Sequence, residues 1–537
     1  MSGARSALAA ALLVLAPGPA SGVPAASPPN LVVLMADDLD EASFDRALAL
    51  GLLPAIDAAL RHGGMRFDES FVSNPLCCPS RASFLTGRYS HNHGVHNISF
   101  DGNGPPGSFA AFDDREQLGV WLQRAGYRTG LIGKFLNGYG YLPPRNCPRC
   151  DPLRYVPPGW DDWQALPDYG EYNGVPGIGY AGAYCMYHYT INHNGHLVSH
   201  GGSDADYQTD VIAARAAGFI DAAADDPRPL FLWLAPLAPH FEMCLPAASE
   251  FERDVRGAPR HAGSLPPTIG LDLLKPSFAE ADVSDKPAWF DAQYPPLTQA
   301  DVDALQRGFR HRLEALRALD DLVATLRERL AAAGRWDDTV LVLTSDNGWF
   351  NGEHRAWGKV LAYEESIRVP LLVRGPGIAP GRRHEALVLN HDLAPTLLAL
   401  AGTQTAYAMD GADLRPLFAG IKPPDWRRRF LVEHFRDAAW APVSFADYFA
   451  VRTGSEDAPL QRARVWIDWR IDGTSHGVEH YALDEDPWQI ASLGVDGAAA
   501  ASLRGALAAL RSCGQAGAPT CRDAEARVET VFSASFE

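Results

Sequence analysis

Three uninterrupted apolar runs constrain this chain more than any other feature. They lie at 30–36, 229–236 and 339–344. None alternates between apolar and polar residues, so each reads as a strand covered on both faces, as in a parallel sheet. A fourth strand is expected at 127–134. Helical patterns separate the runs, at 52–60, 117–125, 207–224, 298–333 and 393–401. The longest begins at Thr298-x-x-Asp301, a capping box with Asp in place of Glu, and carries Leu305, Phe309, Leu316, Val323, Leu326 and Leu330 near one face. The pattern is that of an α/β domain, a mostly parallel sheet sandwiched by helices.

Each strand delivers polar residues at its end. The first ends in Asp37-Asp38, the last in Ser345-Asp346-Asn347-Gly348, and the middle ones in Lys134 and Pro239-His240. Ligands of open α/β sheets sit beyond the carboxyl ends of the strands, and carboxylates placed there are costly unless paired or metal-bound. Three carboxylates and one amide oxygen suit a hard divalent cation, with six to eight oxygens for Ca²⁺ and a tight octahedron for Mg²⁺.

At 537 residues a large domain with a smaller companion is expected. The boundary is placed near 425, giving 27–425 and an α+β portion at 426–537. The formal charge of −18 argues against a nucleic-acid partner. Residues 1–26 read as a secretory signal, with Arg5, an apolar core at 7–15 and cleavage near Gly22 or Ala26. That core is too short to span a bilayer, so an exported protein, secreted or periplasmic, is expected. Beyond Cys77 and Cys78 stand Cys147, Cys150, Cys185, Cys244, Cys513 and Cys521. In an oxidising compartment these suggest disulfides. Cys513 with Cys521 is a plausible local loop, and Cys147-x-x-Cys150 favours a disulfide over zinc because no second ligand pair stands nearby. Residues 137–204 read as long loops, and 245–298 as an irregular surface excursion.

The stretch Cys77-x-Pro79-Ser80-Arg81-x4-Thr86-Gly87-Arg88 precedes and opens a predicted helix, so Cys77 falls at or before a helix N-terminus, where anions are favoured. A thiolate is a poor partner for a hard cation held by oxygens. This motif resembles the signature of the type I sulfatases, as do Gly133-Lys134, Pro239-His240, the two acidic strand ends, Gly358-Lys359 and the late Tyr481-x-Leu483-x-x-Asp486-Pro487. The resemblance covers nearly all of the expected mature chain. It implies an alkaline-phosphatase-like fold and a formylglycine made from Cys77 by a maturation enzyme. It also implies one Ca²⁺ held by Asp37, Asp38, Asp346, Asn347 and the modified Cys77. In that family pattern Arg81 steadies the formylglycine diol. Lys134, His240 and Lys359 grip the sulfate, and His240 protonates the leaving alcohol.

One position departs from the pattern. Many sulfatases carry a histidine two residues after the lysine, where this chain has Leu136. Asn137, His91 and His93 are the candidate partners of the formylglycine hydroxyl. The run 133–139, with 157–163 and 187–195, resembles the branch containing N-acetylglucosamine-6-sulfatases, whose substrates are sulfated sugars. Two rival readings stand beside it: a phosphodiesterase or phosphonate hydrolase of the same superfamily, and a non-catalytic binder of sulfated glycans.

Overall fold

The computed structural model describes residues 27–98, 107–168, 182–244, 254–437, 446–455 and 463–527. The predicted signal segment at 1–26 lies outside them. Ten strands build the main sheet: β1 Asn30–Ala36, β2 Met65–Phe67, β3 Arg128–Lys134, β4 Asp162–Leu166, β5 Thr190–His193, β6 His196–Ser199, β7 Leu230–Ala235, β8 Thr339–Ser345, β9 Leu371–Arg374 and β10 Arg382–His384. Their order is β10-β2-β9-β8-β1-β7-β3-β4-β5-β6. The central strands β8, β1, β7, β3 and β4 are parallel, and antiparallel pairs appear toward both edges.

The continuous apolar runs have the expected cause. Val32, Leu34 and Ala36 of β1 face one core, which includes Phe219 of helix Gln208–Asp221 and Leu316, Leu319 and Leu322 of helix Gln299–Ala332. Leu31, Val33 and Met35 face a second core, with Phe84 and Leu85 of helix Cys77–Thr86, Leu122 and Leu397. Every β1 residue is buried because helices cover both sides. The capping box forms as expected: the Thr298 amide donates to Asp301 Oδ2 at 2.8 Å, and the Asp301 amide donates to Thr298 Oγ1 at 3.3 Å.

A separate antiparallel sheet lies toward the C-terminus, with strands Arg429–His434, Asp447–Thr453, Arg464–Ile471 and Thr474–Ala482. Helix Ala498–Ser512 packs on it through Leu503, Leu507 and Leu510. Among the described residues no helix is long and apolar enough to cross a membrane.

The reading of 137–204 as loops needs correction. β4, β5 and β6 lie there and extend the main sheet. Polar residues inside the sheet hide them: Gln164 is buried in β4, its side-chain oxygen accepting from Arg215 at 2.6 Å. The β5–β6 hairpin turns on Asn194-Gly195, both left-handed, a strong hairpin signal. Cys147–Cys150 and Cys513–Cys521 are disulfide-bonded, whereas Cys185 and Cys244 are buried thiols.

Candidate active site at the carboxyl edge of the sheet

Parallel register brings the predicted residues together. β1 pairs with β8 from Asn30↔Thr339 to Ala36↔Ser345, so Asp37 and Asp38 emerge beside Asp346 and Asn347. β3 and β7 add Lys134 and, after a short turn, His240. Gly133 is needed where β3 runs beside β7. Its φ is 120°, and a Cβ there would come within 2.2 Å of the Ala235 carbonyl. Cys77 opens its helix, and Gly87 closes it in the left-handed region at φ 70°.

The charges interlock. Lys134 Nζ lies 2.5 Å from Asp37 Oδ2. Lys359 Nζ bonds to Asp38 Oδ1 and lies 2.7 Å from Cys77 Sγ. Arg81 donates to Asp346 Oδ2 at 2.8 Å and to the Lys134 carbonyl at 2.7 Å. His240 Nδ1 is 2.6 Å from the Phe241 carbonyl, which leaves Nε2 on the Asp38 side, 3.4 Å from Oδ2. Lys359 sits between Gly358, at φ 99°, and Val360, at φ 80°. A β-branched residue in that region is strained.

All these side chains are buried. Burial pushes the Cys77 thiol up to about 12 and the His240 imidazole down to about 4. Burial opposes charge on Asp37 and Asp38, yet Lys134 and His240 for the first, and His240 and Lys359 for the second, hold both carboxyls below their usual range. Two oxygens remain open. Asp38 Oδ2 and Asn347 Oδ1 are buried without a hydrogen-bond donor. Oxygens of Asp37 and Asp38, Cys77 Sγ and a His240 ring nitrogen all lie within 4.8 Å of one another. Buried, undonated oxygens in a carboxylate cluster fit a hard cation.

A family model described as Sulfatase matches residues 29–403. The chain belongs to the sulfatase family. A second model, described as N-sulphoglucosamine sulphohydrolase, C-terminal, matches residues 352–456. Human N-acetylglucosamine-6-sulfatase is 32% identical over 527 residues, 92% of this chain and 86% of that protein. A structure titled as a complex with D-glucosamine-2-N,6-O-disulfate shares the fold at TM-score 0.62 and 23% identity, covering 90% of this chain and 97% of the other. The phosphonate monoester hydrolase of Agrobacterium radiobacter shares it at TM-score 0.65 and 22% identity, covering 90% and 95%. This sulfatase therefore has the mostly parallel sheet expected from its strands and the alkaline-phosphatase-like architecture that the motif resemblance implies.

The three candidates for the position opened by Leu136 separate in this sulfatase. His91 Nδ1 lies 3.0 Å from Glu433 of the C-terminal sheet, and Nε2 lies 3.1 Å from the Cys513 carbonyl. His93 Nε2 meets Ser83 Oγ at 3.0 Å, and its Nδ1 accepts from the Val95 amide at 3.1 Å. Both rings spend both nitrogens elsewhere. Asn137 differs: its amide group donates to the Tyr184 hydroxyl at 2.6 Å, while its buried Oδ1 has no donor.

Two contributors escape sequence reasoning. Arg312, inside helix Gln299–Ala332, donates to the main-chain carbonyls of Asp38 and Pro239 and so clamps two of the site's turns. Its signal was a cation within the apolar stripe of Phe309, Leu313 and Leu316. Tyr184 lies with its ring centroid 4.6 Å from Lys134 Nζ and 5.1 Å from the His240 ring. No local pattern marks it.

Proposed function

We propose that this chain hydrolyses a sulfate ester on a sugar, of the N-acetylglucosamine 6-sulfate class, after export and after oxidation of Cys77 to formylglycine by a maturation enzyme. The supporting observation is the pair of undonated oxygens, Asp38 Oδ2 and Asn347 Oδ1, set beside Cys77 and ringed by Lys134, Lys359, Arg81 and His240. Asp37, Asp38, Asp346, Asn347 and the modified residue 77 would hold one Ca²⁺. Bound there, the cation and the formylglycine supply an acidified hydroxyl as nucleophile.

The chain's own residues do the rest. Lys134 and Lys359 present two buried ammonium groups beside residue 77, where they grip the sulfate oxygens and stabilise charge as the ester bond breaks. Arg81 is held through Nε by Asp346 and through Nη1 by the Lys134 carbonyl, so it holds the acidic residues and residue 77 in register. His240, with Nδ1 held by the Phe241 carbonyl, has Nε2 placed to deliver a proton to the departing alcohol. A bound anionic ester raises the proton affinity of that nitrogen. The division into 27–425 for catalysis and 426–537 as companion domain is part of this proposal.

The test is the mass of the peptide spanning Cys77, followed by turnover of N-acetylglucosamine 6-sulfate, an aryl sulfate and a phosphate ester. Aldehyde mass with sulfate turnover is expected. Preferred phosphate or phosphonate turnover would favour a phosphonate hydrolase. Retention of sulfated sugar without turnover, with aldehyde present, would favour a binding protein.

A further inference from the structure

Tyr184 touches three parts of the site at once and belongs to no motif. Its ring covers the Lys134 ammonium at 4.6 Å and meets the His240 ring at 5.1 Å. Its hydroxyl accepts from the Asn137 side-chain amide at 2.6 Å. The Tyr184 main chain is pinned to the His240 loop, because its carbonyl accepts from the Met243 amide at 3.1 Å.

We propose that Tyr184 is a positioning residue that aims Asn137 Oδ1 and the Lys134 ammonium into the site. This rests on the sulfatase reading above. The phenol oxygen accepts from Asn137, with the amide nitrogen turned toward Tyr184. Asn137 Oδ1 is left as a buried acceptor without a donor. Lys134, three residues before Asn137, bonds to Asp37, whose Oδ1 lies 3.7 Å from Cys77 Sγ, so this segment stands against residue 77. The Asn137 acceptor takes the part of the histidine that Leu136 replaces, receiving the hydroxyl of modified residue 77. The ring, meanwhile, keeps the Lys134 ammonium in place by a cation–π contact in a desolvated setting.

Phe and Leu variants separate the two roles. Tyr184→Phe keeps the ring and removes the relay. It is expected to lower kcat about tenfold with KM changed less than about twofold. In an Asn137→Ala background the same change is expected to be silent, because the relay then has no end. Inorganic sulfate binding, measured by calorimetry, is expected to match the wild type in Tyr184→Phe and to weaken about tenfold in Tyr184→Leu. The proposal is overturned if Tyr184→Phe keeps wild-type kcat, if it costs tenfold again in the Asn137→Ala background, or if Tyr184→Leu binds sulfate as the wild type does. Should Tyr184→Leu fail to fold, the Tyr184→Phe and Asn137→Ala cycle decides. Wild-type protein with confirmed formylglycine but no sulfate-ester turnover would sink the sulfatase reading instead, and the calorimetry would still judge Tyr184.

Discussion

Two buried charge clusters in this molecule have opposite characters. One surrounds Arg427 at the junction with the C-terminal sheet. Its guanidinium forks onto both oxygens of Asp392 and reaches Glu525 at 3.0 Å. Asp392 also accepts from the Leu389 and Ala412 amides, each at 2.7 Å, and Glu525 accepts from the Tyr89 hydroxyl. Each of these three charged groups is answered within the protein. The other cluster surrounds Cys77, where Asp38 Oδ2 and Asn347 Oδ1 are not answered. Both clusters are buried, so the difference lies in closure. A cluster that closes its own hydrogen bonds holds a fold together, and one that leaves acceptors open is built to receive something else.

The contrast can be broken in four ways, taken from the largest effect down. Cys77→Ala should lower sulfate-ester turnover by at least about 10⁴-fold while the melting temperature stays within a few degrees. A large loss of stability would mean that the open cluster is structural. Arg427→Leu should do the reverse. It strands Asp392 and Glu525 in the interior, at a cost of about 3–5 kcal/mol in denaturant unfolding. Turnover per folded molecule should not change.

Calcium sharpens the comparison. At about 100 times its dissociation constant, a native-state ligand adds about 2.7 kcal/mol. Ca²⁺ should therefore raise the melting temperature of the wild type and of Arg427→Leu, but not of Asn347→Ala. A rise that survives in Asn347→Ala would place the cation elsewhere.

The smallest effect concerns His91, which joins the helical segment after Cys77 to the C-terminal sheet. Burial opposes its charge, but the Glu433 carboxylate outweighs burial and raises the imidazole from 6.5 to about 9. A raised folded-state value means that the pair stabilises fully below about 6.5 and loses that contribution as pH climbs through about 9. The gap between the wild type and His91→Gln should be on the order of 2 kcal/mol at pH 6 and should shrink toward pH 9. A gap independent of pH would show that His91 acts by packing alone.

Much of the site was legible because strand ends are local statements. Asp37-Asp38 and Asp346-Asn347 follow apolar runs that can only be buried strands, and parallel pairing then makes the ends neighbours. His91 and His93 misled because a histidine near a motif in sequence says nothing of which way its ring faces. The short helix Ser90–His93 turns them toward Glu433 and Ser83. β4 and β5 were hidden because their buried faces include Gln164 and Asn192, which hydrogen-bond inside the protein instead of reading as apolar, and β6 is a four-residue edge strand with no buried residue.

By itself, the order of residues determined the central strands of the sheet, the helical cover on both faces, the charged strand ends and the Cys77 motif, since each depends on burial or spacing along a short stretch. Only the tertiary structure decided that Arg312 clamps two turns, that Tyr184 links Lys134, His240 and Asn137, and which oxygens remain without donors. Those facts depend on side chains meeting across gaps such as the sequence separation of 47 from Asn137 to Tyr184. No local propensity records such a meeting, because its free energy exists only once the chain has packed.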